Sequence, residues 1–321
     1  MTGDSRPREP EWRPAFGEPD AGAAARVPTA GAAGTQRPSA MQRCLVMGVV
    51  NVTPDSFSDG GSWLDPDKAI AHGLELADQG ADIIDVGGES TRPGAQRVPL
   101  AEELSRVLPV VDALAQAGSY VSIDTMRAEV ASEALAAGAR MINDVSGGLA
   151  DPDMARVVAA AGVPYVVMHW RGHSADMYGP AVYSDVVAEV QAELGSRIQA
   201  LVAAGVDPAQ LILDPGLGFA KLPEHNWRLL ASLDHIARQG GYPDPFPVLV
   251  AASRKGFLGK LLAGPDGKAR SFARSDDATI ALTALAVAAG AWCVRVHAVP
   301  GNVDAVQVAT RWRQESMAGA R

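Results

Sequence analysis

The sequence has only two cysteines among 321 residues, and aromatic side chains make up 5% of it. Cys44 and Cys293 lie within apolar runs without the spacing of metal ligands, so we interpret both as small buried residues of a reducing compartment. No apolar run reaches the roughly 18 to 20 residues of a membrane helix, and residues 1–40 lack the apolar segment of a secretory signal. We therefore expect a soluble, cytoplasmic protein.

Positive charge is also scarce. The 28 Lys and Arg residues are outnumbered by 37 Asp and Glu residues, and the formal net charge is -9. Proteins that bind nucleic-acid backbones carry clustered Lys and Arg, and the sequence has no such run. These features predict small-molecule ligands, with neither nucleic acid nor membrane as a partner.

Alanine, glycine and short Val/Ile-rich runs are what the sequence has in abundance. From Cys44 onward, the short apolar runs alternate with alanine-rich segments of helical period. Each run is almost continuously apolar, as expected of parallel strands buried on both faces. The predicted strands are Leu45 to Val50, Asp82 to Val86, Tyr120 to Ile123, Arg140 to Ile142, Pro164 to Met168, Leu211 to Leu213, Val248 to Ala251 and Trp292 to Val296.

The segments between the strands show one-face helical spacing. In the first helix, Ile70, Leu74 and Ala77 form the predicted core stripe. A later helix has a longer stripe of Val187, Val190, Leu194, Ile198 and Leu201. Glycines at 80, 138, 162 and 205 are predicted to end helices before the next strand.

Eight strand-helix units favour one α/β domain folded as a (β/α)8 TIM barrel, whose usual length is about 250 residues. An open doubly wound sheet is disfavoured, because no GxGxxG follows the first strand. We predict a disordered extension over residues 1–40, the barrel over 41–315 and a tail over 316–321.

Polar residues follow nearly every predicted strand, and barrel enzymes place their chemistry at these strand ends. The set comprises Asn51, Asp85, Asp124, Asn143, His169, Asp214, Ser253, Arg254, Lys255, Arg295 and His297. Asp and Asn suit a flat ring with amino and lactam groups, such as guanine or a pterin, and Asp214 is the best candidate for a bidentate contact. For any single Asp or Asn, helix capping is an equally good interpretation.

Lys255, Arg295 and His297 are predicted to form an anion site, with Arg295 and His297 facing the same way on one strand. The alternatives are an ion pair for Arg295 and a hydrogen-bonded buried imidazole for His297. The polar, glycine-ended segment from Asn51 to Gly61 suits a mobile lid, and Asn51 offers an oxygen ligand for Mg2+.

Several segments resemble the signature motifs of the dihydropteroate synthases, a pterin-binding family. They extend from residue 47 to the last helix and include the two long loops. The segments are NVTPDSFSDGG (51–61), DVGGESTRPGA (85–95), SIDT (122–125), INDVSGG (142–148), MHWRG (168–172), DPGLGFAK (214–221), SRKGFLG (253–259) and RVH (295–297).

The resemblance implies a role for each matched residue. The pterin would be held by Asp124, Asn143, Asp214 and Lys255, between walls formed by Met168, Gly218 and Phe219. Diphosphate and Mg2+ would be bound by Asn51, Arg295 and His297. The 4-aminobenzoate site would consist of Phe57, Thr91, Arg92, Pro93 and Ser253, and Asp55 and Asp85 would support the loops and the metal-bound state.

The implied reaction is a displacement at the pterin methylene carbon, in which the arylamine of 4-aminobenzoate attacks and diphosphate leaves. Asp124, Lys255, Arg295 and His297 would be the catalytic residues, acting on charge that develops in the transition state. The resemblance further implies competitive inhibition by sulfonamides, and a homodimer formed through helices late in the barrel.

Two alternatives remain at this stage. A methyltetrahydrofolate-dependent methyltransferase domain would also bind a pterin, although it would need neither the two loops nor the Arg295 and His297 pair. A non-catalytic pterin-binding paralogue is favoured only by Ala298, since the family more often has an acid at that position.

Overall fold

A computed structural model describes residues 43–53, 66–90, 97–172 and 181–318 of the chain. Eight parallel strands form a single sheet, as the alternating sequence pattern predicts. They are β1 (Leu45–Asn51), β2 (Ile83–Gly87), β3 (Val121–Asp124), β4 (Met141–Asp144), β5 (Tyr165–Met168), β6 (Leu211–Asp214), β7 (Leu249–Val250) and β8 (Cys293–Val296).

The strand order, β6-β5-β4-β3-β2-β1-β8-β7, brings the last two strands of the chain next to the first. A parallel bridge between Leu213 and Val248 then links β6 to β7 and closes the sheet into a barrel. Every strand residue but two is buried, which explains why the strands are apolar without alternation. The predicted (β/α)8 barrel is therefore confirmed.

Ten α-helices surround the barrel in the described part of the chain. They are α1 (Pro66–Asp78), α2 (Leu100–Gln116), α3 (Ala128–Ala136), α4 (Met154–Ala161), α5 (Val186–Ala203), α6 (Pro223–Leu230), α7 (Leu233–Ala237), α8 (Gly256–Leu261), α9 (Asp276–Ala288) and α10 (Pro300–Ala318). The last helix continues beyond residue 315, where the barrel was predicted to end. No described helix is long and apolar enough to cross a membrane.

The predicted core stripe of α1 is confirmed for Ile70 and Ala77, which pack against the core, and is wrong for Leu74. The buried face is Ala69, Gly73 and Leu76, while Leu74 is 37% exposed. The reason is the close approach of α2, because a Cβ atom at Gly73 would lie 2.8 Å from the methyl carbons of Leu114. A glycine thus marks the contact face here, which a search for large apolar residues overlooks.

The other helical predictions agree with the structure. Val190, Leu194, Ile198 and Leu201 are buried along α5, and Val187 packs against the same core. The four glycines predicted to end helices all have positive φ, between 67° and 108°. Both cysteines are buried free thiols, and Cys293 lies in the cluster of apolar side chains that includes Met47, Ile83 and Met141.

Candidate active site

Strand pairing places the predicted polar residues side by side at one end of the barrel. In the parallel register, Gly87 pairs with Asp124, and Asp124 pairs with Asn143. Two strands further on, Met168 pairs with Asp214. These residues lie at or next to the carboxyl ends of β2 to β6, so the closed barrel brings side chains that are far apart in sequence to a common rim.

Arg295 is the centre of the rim's charge network. Its Nε donates to Asp85 Oδ2 at 2.6 Å, and its Nη2 donates to Asp124 Oδ2 at 2.7 Å. Asn143 Nδ2 donates to the same Asp85 oxygen at 2.9 Å. The ion-pair alternative for Arg295 is therefore what the structure shows, and Asp124 and Asn143 have protein partners without needing a ligand to supply them.

The same network leaves hydrogen-bonding capacity for a ligand. Among the described residues, none accepts a hydrogen bond from Arg295 Nη1 or donates one to Asn143 Oδ1. Burial raises the pKa of Asp124 to about 7, and the Arg295 guanidinium opposes that rise. Arg295 thus favours the ionised form of Asp124 even before any anion binds.

Asp214 is the last residue of β6. It directly precedes the β6–α6 loop, which consists of residues 215–222. Its Oδ1 accepts a hydrogen bond from the Gly216 amide at 2.7 Å. Burial raises the pKa of Asp214, and Lys255 is the main charge that opposes the rise. The loop is tightly turned, with positive φ at Gly216, Gly218 and Ala220. A turn of this shape exposes backbone groups and the Phe219 ring at the rim.

Lys255 lies across the β6–α6 loop, where Nζ donates to the carbonyl of Leu217 and lies 4.8 Å from the centre of the Phe219 ring. Burial lowers the pKa of Lys255 to about 8, and Asp214 opposes the change. Gly218 also contacts this lysine, because a Cβ there would be 3.0 Å from Lys255 Cδ. Asp214, Gly218, Phe219 and Lys255 therefore form one continuous wall, and Met168 is buried at the end of the adjacent strand.

His297 contacts a partner outside the Arg295 network, Ser253. Its Nδ1 and Ser253 Oγ are 3.0 Å apart, and its backbone amide donates to the same oxygen at 3.3 Å. The predicted cation cluster of Lys255, Arg295 and His297 is thus divided among three sets of partners. Ser253 is followed by Arg254, whose positive φ of 57° is fixed by a two-point ion pair with Asp276 at the start of α9.

Sequence reasoning gave no role to Lys221 and only a position to His169. Lys221 Nζ lies 2.9 Å from His169 Nδ1, and His169 Nε2 lies 2.8 Å from Glu193 Oε2 on α5. Lys221 and His169 are each 3% exposed. The sequence feature that could have indicated these contacts is the lysine that ends DPGLGFAK. A lysine so close to a buried strand needs an acceptor or an acid nearby.

Asn51 ends β1 at the same rim and is half-buried. No hydrogen bond joins its side-chain amide to another described residue. Within the described ranges, no cluster of three or more His, Cys, Asp or Glu residues could hold a metal ion. This donor set fits Mg2+ only in the mode in which one protein oxygen, water and substrate phosphates share the ion.

Five predicted residues, Asp55, Phe57, Thr91, Arg92 and Pro93, lie outside the described residues. The chain on both sides of the 91–96 segment is well anchored. Glu89 pairs with Arg97 and Arg127, each at 3.2 Å. Arg127 also pairs with buried Glu103, which accepts from Thr125 Oγ1 at 2.6 Å. This ion-pair network connects the segment to the residue that follows Asp124.

Ala298, where the family more often has an acid, is half-buried. Its carbonyl accepts a hydrogen bond from Asn302 Nδ2 at 2.6 Å, and Asn302 Oδ1 accepts from Thr283 Oγ1 at 2.6 Å. The start of α10 is therefore fixed through the backbone of residue 298, for which no acidic side chain is needed.

Comparison with known proteins gives a consistent result. The sequence profile of the pterin binding enzyme family matches residues 47–297. The dihydropteroate synthase of Mycobacterium leprae (strain TN) is 56% identical over 268 residues, which are 83% of this chain and 93% of that protein. The Burkholderia cenocepacia dihydropteroate synthase complexed with 7,8-dihydropteroate superposes with a TM-score of 0.76 and 38% identity, over 86% of this chain and 94% of that one.

A Yersinia pestis dihydropteroate synthase with a sulfonamide drug gives a TM-score of 0.79 and 38% identity, over 85% of this chain and 96% of that one. The family profile covers most of the barrel. This chain also aligns with nearly the full length of each relative. The chain therefore belongs to the pterin-binding enzyme family and, within it, to the dihydropteroate synthases.

Proposed function

We propose that the rim around Arg295 catalyses the dihydropteroate synthase reaction in tetrahydrofolate biosynthesis. The enzyme joins (7,8-dihydropterin-6-yl)methyl diphosphate to 4-aminobenzoate and releases diphosphate. The amine nitrogen forms a bond to the methylene carbon and loses one proton, while the bond from that carbon to diphosphate oxygen breaks. The observation that supports this assignment best is the single network in which Arg295 joins Asp85 and Asp124, beside the Asp214 and Lys255 wall.

The pterin would bind in the wall formed by Asp214, Phe219 and Lys255. Asp214 Oδ1 is committed to the Gly216 amide, which leaves Oδ2 to accept from the ring's amino and N–H groups. Asn143, with a free Oδ1, would contact the opposite edge of the ring, and Met168 and Gly218 would pack against its faces. Asp124 would stabilise the positive charge that develops as diphosphate departs.

Arg295 Nη1 and His297 would bind the leaving diphosphate. Nη1 is the guanidinium nitrogen that donates to neither Asp85 nor Asp124. Asn51 would share Mg2+ with the diphosphate oxygens. When bound, the ion neutralises charge on the leaving group. Ser253 orients His297 and would also border the 4-aminobenzoate site, together with Phe57, Thr91, Arg92 and Pro93.

Sulfonamides should compete with 4-aminobenzoate, because they would occupy the surface made by Arg92, Pro93 and Ser253. A sulfonamide complex of the Yersinia pestis enzyme supports this assignment. Raising the concentration of 4-aminobenzoate should therefore reverse the inhibition, whereas raising the pterin diphosphate should not.

We further propose a cytoplasmic homodimer formed through α9 and α10. Leu285 of α9 and Val308 and Trp312 of α10 are large apolar residues that are 67%, 68% and 73% exposed. Val308 and Trp312 are four residues apart and so lie on one face of the helix. A second copy bearing the same patch could cover it through a two-fold axis, the commonest symmetry of soluble oligomers.

The test of the reaction is diphosphate release by purified protein with the pterin diphosphate and Mg2+, with and without 4-aminobenzoate. Wild type should release diphosphate only when the arylamine is present. Asp214→Asn and Arg295→Ala should each lower kcat/KM by about a hundredfold or more, as loss of a charged contact in an active site does. Asp112→Asn, on the exposed face of α2, is the control. Unchanged turnover in both site variants would refute the assignment.

A further inference from the structure

A hydrogen-bonded chain of three polar side chains, buried Lys221, buried His169 and exposed Glu193, runs beneath the β6–α6 loop. Lys221 Nζ contacts His169 Nδ1 at 2.9 Å and also donates to the Phe219 carbonyl at 3.1 Å. His169 Nε2 is 2.8 Å from Glu193 Oε2, and Arg171 pairs with the same glutamate. The chain therefore extends from the inner side of the loop to the surface of α5.

The hydrogen-bond pattern assigns the protons in this chain. A lysine ammonium has donors only, so His169 Nδ1 must accept and Nε2 must carry the proton that is donated to Glu193. Burial and, after it, the charge of Lys221 lower the pKa of His169 to about 4. His169 is thus a neutral imidazole near pH 7, and both direct acceptors of Lys221 are uncharged.

A buried ammonium with two neutral acceptors requires a carboxylate nearby, because an unpaired charge in the interior is strongly unfavourable. Glu193 is separated from Lys221 by the imidazole and is already paired with Arg171. Asp214 is the acid that remains. A Cβ at Gly216 would lie 3.3 Å from Lys221 Nζ, and the Gly216 amide donates to Asp214 Oδ1 at 2.7 Å. Gly216 thus lies between the two charges.

We propose that Lys221 is a positioning residue for the pterin site, whose ammonium fixes the β6–α6 loop from beneath and supplies the buried positive charge that keeps Asp214 a carboxylate. Lys255 acts on the same loop from the outer side, through the Leu217 carbonyl. The inference rests on the proposed contact between Asp214 and the pterin ring. The two lysines then stabilise the loop differently, Lys221 from the inner side and Lys255 from the outer side.

The electrostatics around Lys221 agree with this assignment. The charged and titratable groups that face it are Asp214 of β6, Lys255 after β7, His169 and Arg171 after β5, Glu193 of α5 and His225 of α6. Burial lowers the pKa of Lys221 to about 7, and Asp214 is the group that most opposes the change. Burial also raises the pKa of Asp214, and Lys221 is one of the groups that oppose that rise.

Loss of Lys221 should therefore raise the pKa of Asp214 further. A carboxylate accepts two ring hydrogen bonds, whereas the protonated acid does not, so pterin binding weakens as the pH falls through that pKa. Without Lys221 the weakening should begin at a higher pH. A lysine that only supported the loop's shape would reduce binding equally at every pH.

The experiment compares wild type, Lys221→Met and a control, Lys260→Met, on the exposed end of α8. The pH profile of kcat/KM for the pterin diphosphate would be measured at saturating 4-aminobenzoate. In Lys221→Met, we expect the acidic limb to move up by about one pH unit and KM for the pterin to rise about tenfold. KM for 4-aminobenzoate should change less than twofold. Lys260→Met should match wild type.

A second variant separates the charge from the loop's support. His169→Leu removes one acceptor of Lys221 but leaves its charge, so KM for the pterin should rise while the acidic limb stays in place. If Lys221→Met does not fold, as judged by circular dichroism, Lys221→Gln removes the charge while keeping a donor and should move the limb in the same direction.

An acidic limb that does not move in any folded Lys221 variant would overturn the inference while leaving the synthase assignment intact. The proposed pterin site has its own control in the same series. If Asp214→Asn leaves KM for the pterin unchanged, the contact between Asp214 and the ring is wrong, and the role of Lys221 is wrong with it.

Discussion

Arg295 is the residue on which the charge balance of the rim depends. Asp85 is fully buried, its Oδ1 has no hydrogen-bond partner among the described residues, and its Oδ2 is shared between Arg295 and Asn143. Loss of the guanidinium would leave two buried carboxylates next to each other without a counter-charge. Such a loss is unfavourable for the fold itself, independently of any effect on substrate.

We expect Arg295→Met to lower the free energy of unfolding by about 3 to 5 kcal/mol, the range for breaking a buried ion pair. The measurement is urea denaturation at pH 7. The same substitution in an Asp85→Asn background should have a clearly smaller effect, because only the Asp124 carboxylate is then left without a counter-charge. Arg156→Met, on an exposed position of α4 away from the proposed interface, is the control. Equal losses in both backgrounds would mean that Arg295 contributes by packing, not by charge.

At the scale of elements, the β6–α6 loop has a shape that few residues can adopt. Gly216 has a φ of 67°, and a Cβ there would collide with the backbone carbonyl of His169. The loop therefore cannot relax without displacing the end of β5, where the His169 amide donates to the Asp214 carbonyl at 2.9 Å. The position of the Asp214 carboxylate is thereby tied to two strands.

Gly216→Ala should affect stability and pterin binding together. Gly162 has the same φ of 67° but nothing within 4 Å of its Cβ position, so Gly162→Ala measures the backbone strain alone. We expect about 1 kcal/mol for Gly162→Ala and at least about twice that for Gly216→Ala, because a collision adds to the strain. KM for the pterin should rise only in Gly216→Ala. Equal losses of stability in the two variants would show that the His169 carbonyl moves aside at little energetic cost.

The sequence predicts elements better than it predicts contacts. Apolar runs located all eight strands, because strands buried on both faces must be continuously apolar, and the strand ends located Asp124, Asn143 and Asp214. Leu74 was wrong as a core residue of α1 because a glycine, Gly73, and not a large side chain makes the contact with α2. The pairing of Arg295 with Asp85 and Asp124 could not be read from a sequence, since barrel closure and side-chain rotamers fix it.

Lys221 illustrates the same limit. Its motif was visible, but its acceptor His169 and the glutamate bound to that imidazole, Glu193, lie 52 and 28 positions away, after β5 and on α5. Only the packing of α5 against the barrel brings the glutamate to the imidazole. Composition and periodicity record that a segment is buried, whereas the identity of a buried lysine's acceptor depends on three-dimensional placement.

At the scale of the whole molecule, the surface of α9 and α10 is the proposed dimer interface. Gln307, Val308, Arg311, Trp312, Glu315 and Ser316 line a shallow groove along α10. Apolar residues are rimmed there by charged ones, an arrangement typical of a protein interface. Arg254 at the rim is paired with Asp276 at the start of α9, so the helix that borders the proposed interface also anchors the residue before Lys255.

If α9 and α10 form the dimer interface, Trp312→Glu should produce a monomer, because it places a charge at the centre of a self-complementary apolar patch. We expect the dissociation constant to rise about a hundredfold or more, as for a central interface residue. Sedimentation equilibrium across a range of concentrations measures it, and Arg156→Glu on the exposed side of α4 is the control. Since the described site residues all belong to one barrel, kcat should stay within about twofold of wild type where the variant remains folded. A wild-type monomer, or a Trp312→Glu protein that remains a dimer, would place the interface elsewhere.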